Sequence, residues 1–296
     1  MILFPHAKIN LTLFITGRME NGYHAIDTVF WPVPLYDKLI IEKSESFSFS
    51  CSDKKLEGDD NLVCRAFSLM RERFGLPQVR IFLEKNIPYQ AGLGGGSADA
   101  AAVINACVEL FSLSLSDHEK AQAGELLGAD VPAGLSFFPQ RGEETGARVR
   151  RIAPYWPLPL LIIKPREGFS TAAMYRRWDE KQGGSARNTR EISRRQEALE
   201  EALIRQDAAA VCGLLHNDFE ELLEPQEEMI LQKAKRLFEE SGAAGSLLCG
   251  SGSAVFGIYL NEADRNEAAA LLEGKMPRGW QLLLPKEREL NAETDV

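Results

Sequence analysis

The sequence predicts an α+β protein of two domains, and three observations carry that expectation. Val79, Ile81 and Leu83 alternate with polar or exposed positions, the period of a half-buried strand. A glycine run then leads into the alanine-rich segment Ala100 to Phe111, which suits a helix packed closely on a sheet. Towards the other end, residues 245–256 read as strand, small-residue turn and strand, behind helical stretches at 191–205, 207–215 and 225–240. A chain of 296 residues is long enough for two ordinary domains, each with its own core. The boundary is expected near residue 154, giving halves of 1–153 and 154–296. There Pro154, Pro157 and Pro159 precede the apolar strand Leu160 to Ile163.

Composition narrows the class. Hydrophobic residues at 45% and charged residues at 26% are ordinary for a soluble globular chain, and no segment reaches the roughly 20 uninterrupted apolar residues of a membrane span. The first eight residues lack the basic start and long apolar centre of a secretory signal, so a cytoplasmic protein is expected. Five cysteines (Cys51, Cys64, Cys107, Cys212, Cys249), odd in number and without C-x-x-C spacing, suit reduced core thiols better than disulfides or zinc. A net charge of -9 speaks against general nucleic-acid binding, which needs a basic face. An anionic small molecule needs only a local cluster of donors.

From the N-terminus, Ile9, Leu11, Leu13 and Ile15 alternate against Lys8, Asn10 and Thr12, a strand with one polar face. Lys8 and Asn10, two apart, point either into one cleft or to solvent. Asn21-Gly22 is a tight bend between two strands, and Tyr23 and His24 leave it together, as a packing pair or a functional one. Residues 35–50 read as a strand and hairpin, with 44–55 an exposed loop. A helix begins at Asp60 or Asn61 and stops at Gly75 and Pro77, with Leu62, Ala66, Leu69 and Met70 on one side.

The stretch Pro88-Tyr89-Gln90-Ala91-Gly92-Leu93-Gly94-Gly95-Gly96-Ser97-Ala98-Asp99 joins the second strand to its helix. Residues without Cβ adopt positive φ readily and can turn several N–H groups toward one point, and the helix's first turn adds its positive dipole end. A phosphate fits such a place. Ser97 is suited to capping the helix or to offering its hydroxyl to a phosphate or a magnesium ion. The loop is not a Walker A motif, since no Gly-Lys-Ser or Gly-Lys-Thr comes after it, and it lacks the third glycine of a dinucleotide fingerprint. A turn made of glycine for tight packing alone explains the same letters.

Further on, Leu127-Gly128-Ala129-Asp130-Val131-Pro132 brackets an aspartate between a glycine and a proline, so a carboxylate is offered at an element boundary, as a turn, a cap or a catalytic group. Residues 141–151 read as a charged, glycine-containing connection. Thr171 and Tyr175, four apart, can share a helix face, with capping and packing as the alternative. Residues 182–190 read as a loop, the arginines at 187, 190, 194 and 195 as a solvated face, and 291–296 as a loose polar tail. No internal repeat is present, and none of the four histidines has metal-ligand spacing.

The order Pro-x-x-x-Gly-Leu-Gly-Gly-Gly-Ser-x-Asp-Ala-Ala closely resembles the phosphate-binding motif of the GHMP kinases, a family of small-molecule kinases. Gly128-Ala129-Asp130-Val131-Pro132 resembles the family's catalytic aspartate motif, and residues 245–256 its third motif, a turn that buttresses the nucleotide loop. The resemblance implies a two-domain GHMP kinase fold: an N-terminal ATP-binding domain with mixed sheet and helices, and a C-terminal α/β sandwich-like substrate domain. It implies ATP and Mg2+ as cofactors, with the backbone of residues 88–98 around the phosphates and Asn61 and Lys85 near adenine.

Lys8-Ile9-Asn10-Leu11 with Gly22-Tyr23-His24 is similar to the opening of one branch, whose alcohol substrate is cytidine diphosphate methylerythritol, phosphorylated at its 2-hydroxyl on the route to isoprenoids. That implies Lys8 and Asp130 as catalytic residues and Tyr23 and His24 as holding cytosine. Asn10, Thr171 and Tyr175 complete the substrate side. The branch usually has proline where this chain has His6, a change expected to affect the start of the strand and not the reaction. His216 to Glu220 also resembles the family, as structure. The rivals are another GHMP kinase, acting on mevalonate, homoserine or a sugar, and a silent metabolite-binding regulator of the same fold. A monomer or weak homodimer is expected.

Overall fold

The computed structural model describes residues 1–182 and 189–287. Its first half runs β1 (Ile2–Leu3), β2 (His6–Arg18), β3 (His24–Tyr36), β4 (Lys38–Lys43), β5 (Ser48–Cys51), α1 (Leu62–Phe74), β6 (Val79–Glu84), α2 (Gly95–Leu110), α3 (Asp117–Glu125), β7 (Gln140–Glu143) and β8 (Arg148–Arg151). The second runs β9 (Leu160–Lys164), α4 (Thr171–Gln182), α5 (Thr189–Ile204), α6 (Ala208–Leu214), β10 (His216–Asn217), α7 (Pro225–Glu240), β11 (Gly245–Leu248), β12 (Val255–Ile258), α8 (Glu262–Glu273) and β13 (Gln281–Leu283).

Among the described residues three sheets form, in the orders β1-β4-β6-β5, β10-β2-β3-β7-β8 and β11-β12-β9-β13. The first packs on α1 and α2: Val79, Ile81 and Leu83 meet Phe67, Met70, Val103 and Cys107 in one core. The third packs on α7 and α8 through residues such as Ile163, Val255, Phe238 and Leu272. The middle sheet lies between them, and Ile9, Leu11 and Trp31 share its core with Leu199 and Phe256 of the second half. That half also lends β10, which runs parallel to β2.

Local signals explain the ends of elements. Asn61 caps α1 by accepting from the Val63 N–H at 2.9 Å, and Gly75, at φ 64°, closes it in the left-handed region. The Asn21-Gly22 bend is present, with the Tyr23 N–H donating to the Asn21 side chain at 3.1 Å.

Several expectations are corrected. Ser48–Cys51, placed in an exposed loop, is a strand parallel to β6, because Cys51 is apolar enough to be buried against α1. Residues 140–151 form the β7–β8 hairpin, not a bare connection, and Arg141 is buried against Asp27 at 2.6 Å. At Arg141, charge marks ion pairing rather than solvent. Arg195 likewise donates to the Leu214 and Leu215 carbonyls at 3.3 and 3.1 Å. The helix α2 starts at Gly95, so Ser97 is its third residue and not its cap; Gly94 occupies the cap position, with no side-chain hydrogen bond. The expected loop at 182–190 gives way to α5 from Thr189, while its residues 183–188, Arg187 among them, and the tail 291–296 lie outside the described residues. Sequence reading missed α3, although Ser116 and Glu119 form its capping box, and also α8 and β13.

The pairing of β2 with β3 shifts at three points, and the one between Asn10 and Thr12 breaks the alternation read from the sequence. Asn10 pairs with Phe30 and Thr12 with Val29, so Leu11 is an extra residue, a β-bulge that reverses the parity of the strand beyond it. Ile9 and Leu11 stay in the middle core, but Leu13 and Ile15 join the core of the third sheet. Leu13 thereby lines the same cavity as Lys8 and Asn10.

Candidate active site

Two cavities, of about 1000 Å³ and about 450 Å³, lie on either side of the glycine segment. Gln90, Gly92, Gly94 and Ser97 line both. The segment is held by close backbone packing. Gly92, at φ +76°, sits where a Cβ would meet the Cys249 carbonyl oxygen at 1.8 Å, and Gly94, at φ +71°, where one would meet Lys8 Cε at 2.9 Å. Only glycine fits either position. The turn between β11 and β12 supports it from behind, the Ala254 N–H donating to the Ala91 carbonyl at 3.1 Å. Beyond Gly94, the first turn of the 16-residue α2 presents N–H groups that precede its first internal hydrogen bond, Ala98 to Gly94 at 2.9 Å. Such a helix start attracts an anion. Ala98 is buried behind it.

In the larger cavity the Lys8 ammonium lies 3.1 Å from an Asp130 carboxylate oxygen, although 122 positions separate them. Asp130 stands in the turn before Pro132, its side chain 37% exposed, whereas Lys8 is 11% exposed. Lys8 also donates to Asn10 Oδ1 at 2.9 Å and lies 5.1 Å from the centroid of Phe30. Asn10 has its other end tied as well, its amide donating to Thr28 Oγ1 at 2.7 Å. At 1% exposure, Asn10 is held between Lys8 and Thr28 at the wall of the cavity.

The opposite wall is aromatic. The His24 ring stacks on Tyr175 at 4.4 Å between centroids and 13° between planes, and its Nε2 is 2.7 Å from Asp179 Oδ1. Trp178 meets His24 edge-on at 5.4 Å. Burial raises the Tyr175 phenol, which stays neutral. Tyr23, at 65% exposure, stands at the mouth of the same cavity. Thr171 opens α4 on the cavity wall, its hydroxyl 2.6 Å from that of Ser251 in the buttressing turn. The helix is capped by its neighbour, Ser170, whose hydroxyl accepts from the Ala173 N–H at 3.3 Å.

The smaller cavity is bordered by Asn61, Lys85 and the segment Pro88 to Ser97. Here the side chains are committed elsewhere. Asn61 caps α1 and donates to the Leu56 carbonyl at 2.8 Å. Lys85 is bonded to Asp37 and, at 2.7 Å, to Asp99, both buried. These residues therefore offer a ligand their backbone and hydrocarbon surface more than their polar ends. His6 begins β2, buried against Phe137 at 4.8 Å, and burial lowers its pKa. It does not line either cavity.

Sequence reading missed Thr28, Asp179 and Ser251. Asp179 had a signal, lying four positions beyond Tyr175 on α4. Ser251 lay within the 245–256 turn, read there only as a buttress, and Thr28 had no signal, because its partners are distant in sequence.

Known proteins resemble this chain in sequence and in fold. Residues 61–136 match the family GHMP kinases N terminal domain, and residues 196–277 match GHMP kinases C terminal. The chain is 37% identical over 277 residues to a 4-diphosphocytidyl-2-C-methyl-D-erythritol kinase of Caldicellulosiruptor saccharolyticus, covering 92% of this chain and 93% of that one. The chain belongs to the GHMP kinase family. Another relative, the 4-diphosphocytidyl-2-C-methyl-D-erythritol kinase of Moorella thermoacetica, is 35% identical and is covered over 96% of its length, with 94% of this chain. A crystal structure of 4-(cytidine 5'-diphospho)-2C-methyl-D-erythritol kinase superposes with a TM-score of 0.73 at 32% identity, over 93% of this GHMP kinase and 96% of that chain. A homoserine kinase from Cytophaga hutchinsonii superposes with a TM-score of 0.72 at 16% identity, over 97% and 94% of the two chains, a likeness of fold alone.

Proposed function

We propose that this GHMP kinase transfers the terminal phosphoryl group of ATP to the 2-hydroxyl of 4-diphosphocytidyl-2-C-methyl-D-erythritol, giving the 2-phosphate and ADP, in the methylerythritol phosphate route to isoprenoids. The observation that carries the chemistry is the Lys8–Asp130 pair, 3.1 Å apart, in the cavity that Gly94 and Ser97 of the anion-attracting segment also line. The names of the relatives at 35–37% identity support the substrate.

Phosphoryl transfer asks a protein for alignment and charge stabilisation more than for covalent chemistry. In this reading, residues 88–98 hold the phosphates through backbone N–H groups. Asp130 orients the hydroxyl and accepts its proton late, as the oxygen bonds to phosphorus and the bond to the ADP oxygen breaks. Lys8 stabilises the negative charge that develops beside it. Tyr23 closes on the cytosine from the mouth, across from His24 and Tyr175, and Thr171 borders the substrate. The smaller cavity, beside Asn61 and Lys85, takes the adenosine.

Magnesium fits as a guest of the nucleotide. Among the described residues no group of three His, Cys, Asp or Glu side chains could hold a metal by itself. A magnesium ion is commonly held by one or two protein groups, substrate phosphates and water, and the Ser97 hydroxyl, on the border of both cavities, is such a group. When bound, the ion neutralises charge on the phosphates.

We also infer a functional division near residue 154, crossed by β10, and a cytoplasmic monomer or weak homodimer acting on small molecules. Phosphorus NMR of ATP, magnesium, the cytidyl substrate and the protein tests the central reading. A new phosphomonoester signal beside the diphosphate pair is expected; unchanged ATP signals would remove it.

A further inference from the structure

The bulge at Leu11 leaves backbone groups of β2 and β3 without their regular partners, and two threonines take them up. The Thr12 hydroxyl accepts from the Val29 N–H at 3.2 Å, and the Thr28 hydroxyl donates to the Thr12 carbonyl at 2.5 Å. Thr28 is fully buried behind Asn10 and lines neither cavity.

Donor and acceptor chemistry then allows one arrangement. A lysine ammonium only donates, so the Asn10 carbonyl must face Lys8, at 2.9 Å, and its amide must face Thr28, at 2.7 Å. The Thr28 oxygen accepts from that amide, and its own proton goes to the Thr12 carbonyl. Asn10 cannot flip without placing like against like at both ends. The Lys8 ammonium is thus held between Asn10 and Asp130, with a third N–H beyond these two contacts.

We propose that Thr28 is a positioning residue for phosphoryl transfer, fixing the Asn10 amide and through it the Lys8 ammonium beside Asp130. The proposal rests on the kinase reading of the Lys8–Asp130 pair. Without the hydroxyl, a buried amide loses its acceptor and turns to find another, and Lys8 loses the oxygen that aims it. A displacement of about 1 Å at a reacting group costs on the order of a hundredfold in rate, so a partial one costs about tenfold.

The test compares Thr28→Val, which keeps the shape without the hydroxyl, with Thr28→Ser, which keeps the hydroxyl, each alone and combined with Lys8→Ala. Thr28→Val is expected to lower kcat about tenfold or more while KM for ATP and for the alcohol stays within about twofold. Thr28→Ser restores kcat, and beside Lys8→Ala the valine costs nothing further, since a residue acting through Lys8 has no effect once Lys8 is gone. Should Thr28→Val not fold, Thr28→Ala against Thr28→Ser, which differ only by the hydroxyl, gives the same comparison. Wild-type kcat in the hydroxyl-free variants, serine as slow as valine, or an undiminished cost beside Lys8→Ala would overturn the proposal and leave the kinase reading standing. Wild-type protein that transfers no phosphate would overturn both.

Discussion

Two lysines flank the glycine segment, and their surroundings differ. A Cβ on Gly94 would lie 2.9 Å from Lys8 Cε, and one on Gly95 would lie 3.3 Å from Lys85 Nζ. Lys8 faces one carboxylate, on a half-open turn at the edge of a cavity. Lys85 is enclosed by two, Asp37 and Asp99, whose side chains are 0% and 3% exposed. Asp37 also accepts from the Asn86 and Ile87 N–H groups at 2.6 and 2.8 Å, tying β6 and the glycine segment to the turn between β3 and β4. Burial disfavours the Lys85 cation, yet Asp99 and Asp37 outweigh it and raise its pKa. On the proposed reading, a lysine beside the glycine segment is available for chemistry only where its partner remains reachable by substrate. Where both partners are buried, the same side chain is structural.

The largest effect expected from this contrast is on turnover. Asp130→Ala or Lys8→Ala should lower kcat by about a hundredfold or more with ATP still bound, read by single-turnover assay and calorimetry. Turnover near wild type in either variant would erase the distinction between the two lysines.

Lys85→Met is the opposite case. It leaves the buried Asp37 carboxylate and the buried Asp99 carboxyl without their shared partner, so unfolding should become easier by about 3–5 kcal/mol in urea titration, while kcat of the folded fraction at saturating ATP stays within a few-fold. A variant as stable as wild type but slow would move Lys85 into the chemistry.

Gly94→Ala forces a side chain into a left-handed position against Lys8, and about a tenfold loss of kcat is expected. Gly96→Ala meets nothing closer within the protein than Leu62 Cδ1 at 3.7 Å, so it should fold normally. Any weakening of ATP binding then measures how closely the triphosphate approaches α2.

A separate effect, on stability and not on turnover, is in the pH dependence of unfolding. Burial pushes the Asp99 carboxyl up to about 8, with Lys85 lowering it and Asp37 raising it further. The folded state therefore holds a proton that the unfolded chain has released above about pH 4. Stability from this group falls as pH rises from about 4 to about 8 and levels off beyond. Asp99→Asn should flatten that slope in thermal melts; an unchanged slope would assign it to other groups.

Much of this was legible in the sequence because it is local. The strand ending at Glu84, the glycine turn, the helix after it, the α1 cap at Asn61 and the Asn21-Gly22 bend all arise from the conformational preferences of neighbouring residues. Resemblance extended that reading to Lys8, Asp130 and the buttressing turn. Residues 48–51 and 140–151 misled, since polar letters there find partners that only the fold supplies.

By itself the sequence determined the menu: a flexible glycine run before a helix, an alternating strand carrying Lys8 and Asn10, and a carboxylate held in a Gly–Pro turn. Tertiary structure decided which groups meet. It set Lys8 beside Asp130 and Lys85 between two buried acids, used Asn10 to aim a lysine, and turned Leu13 into the cavity through one extra residue in β2. Conformational preference acts over a few residues, whereas an ion pair or a bulge is fixed by whatever the distant chain brings alongside.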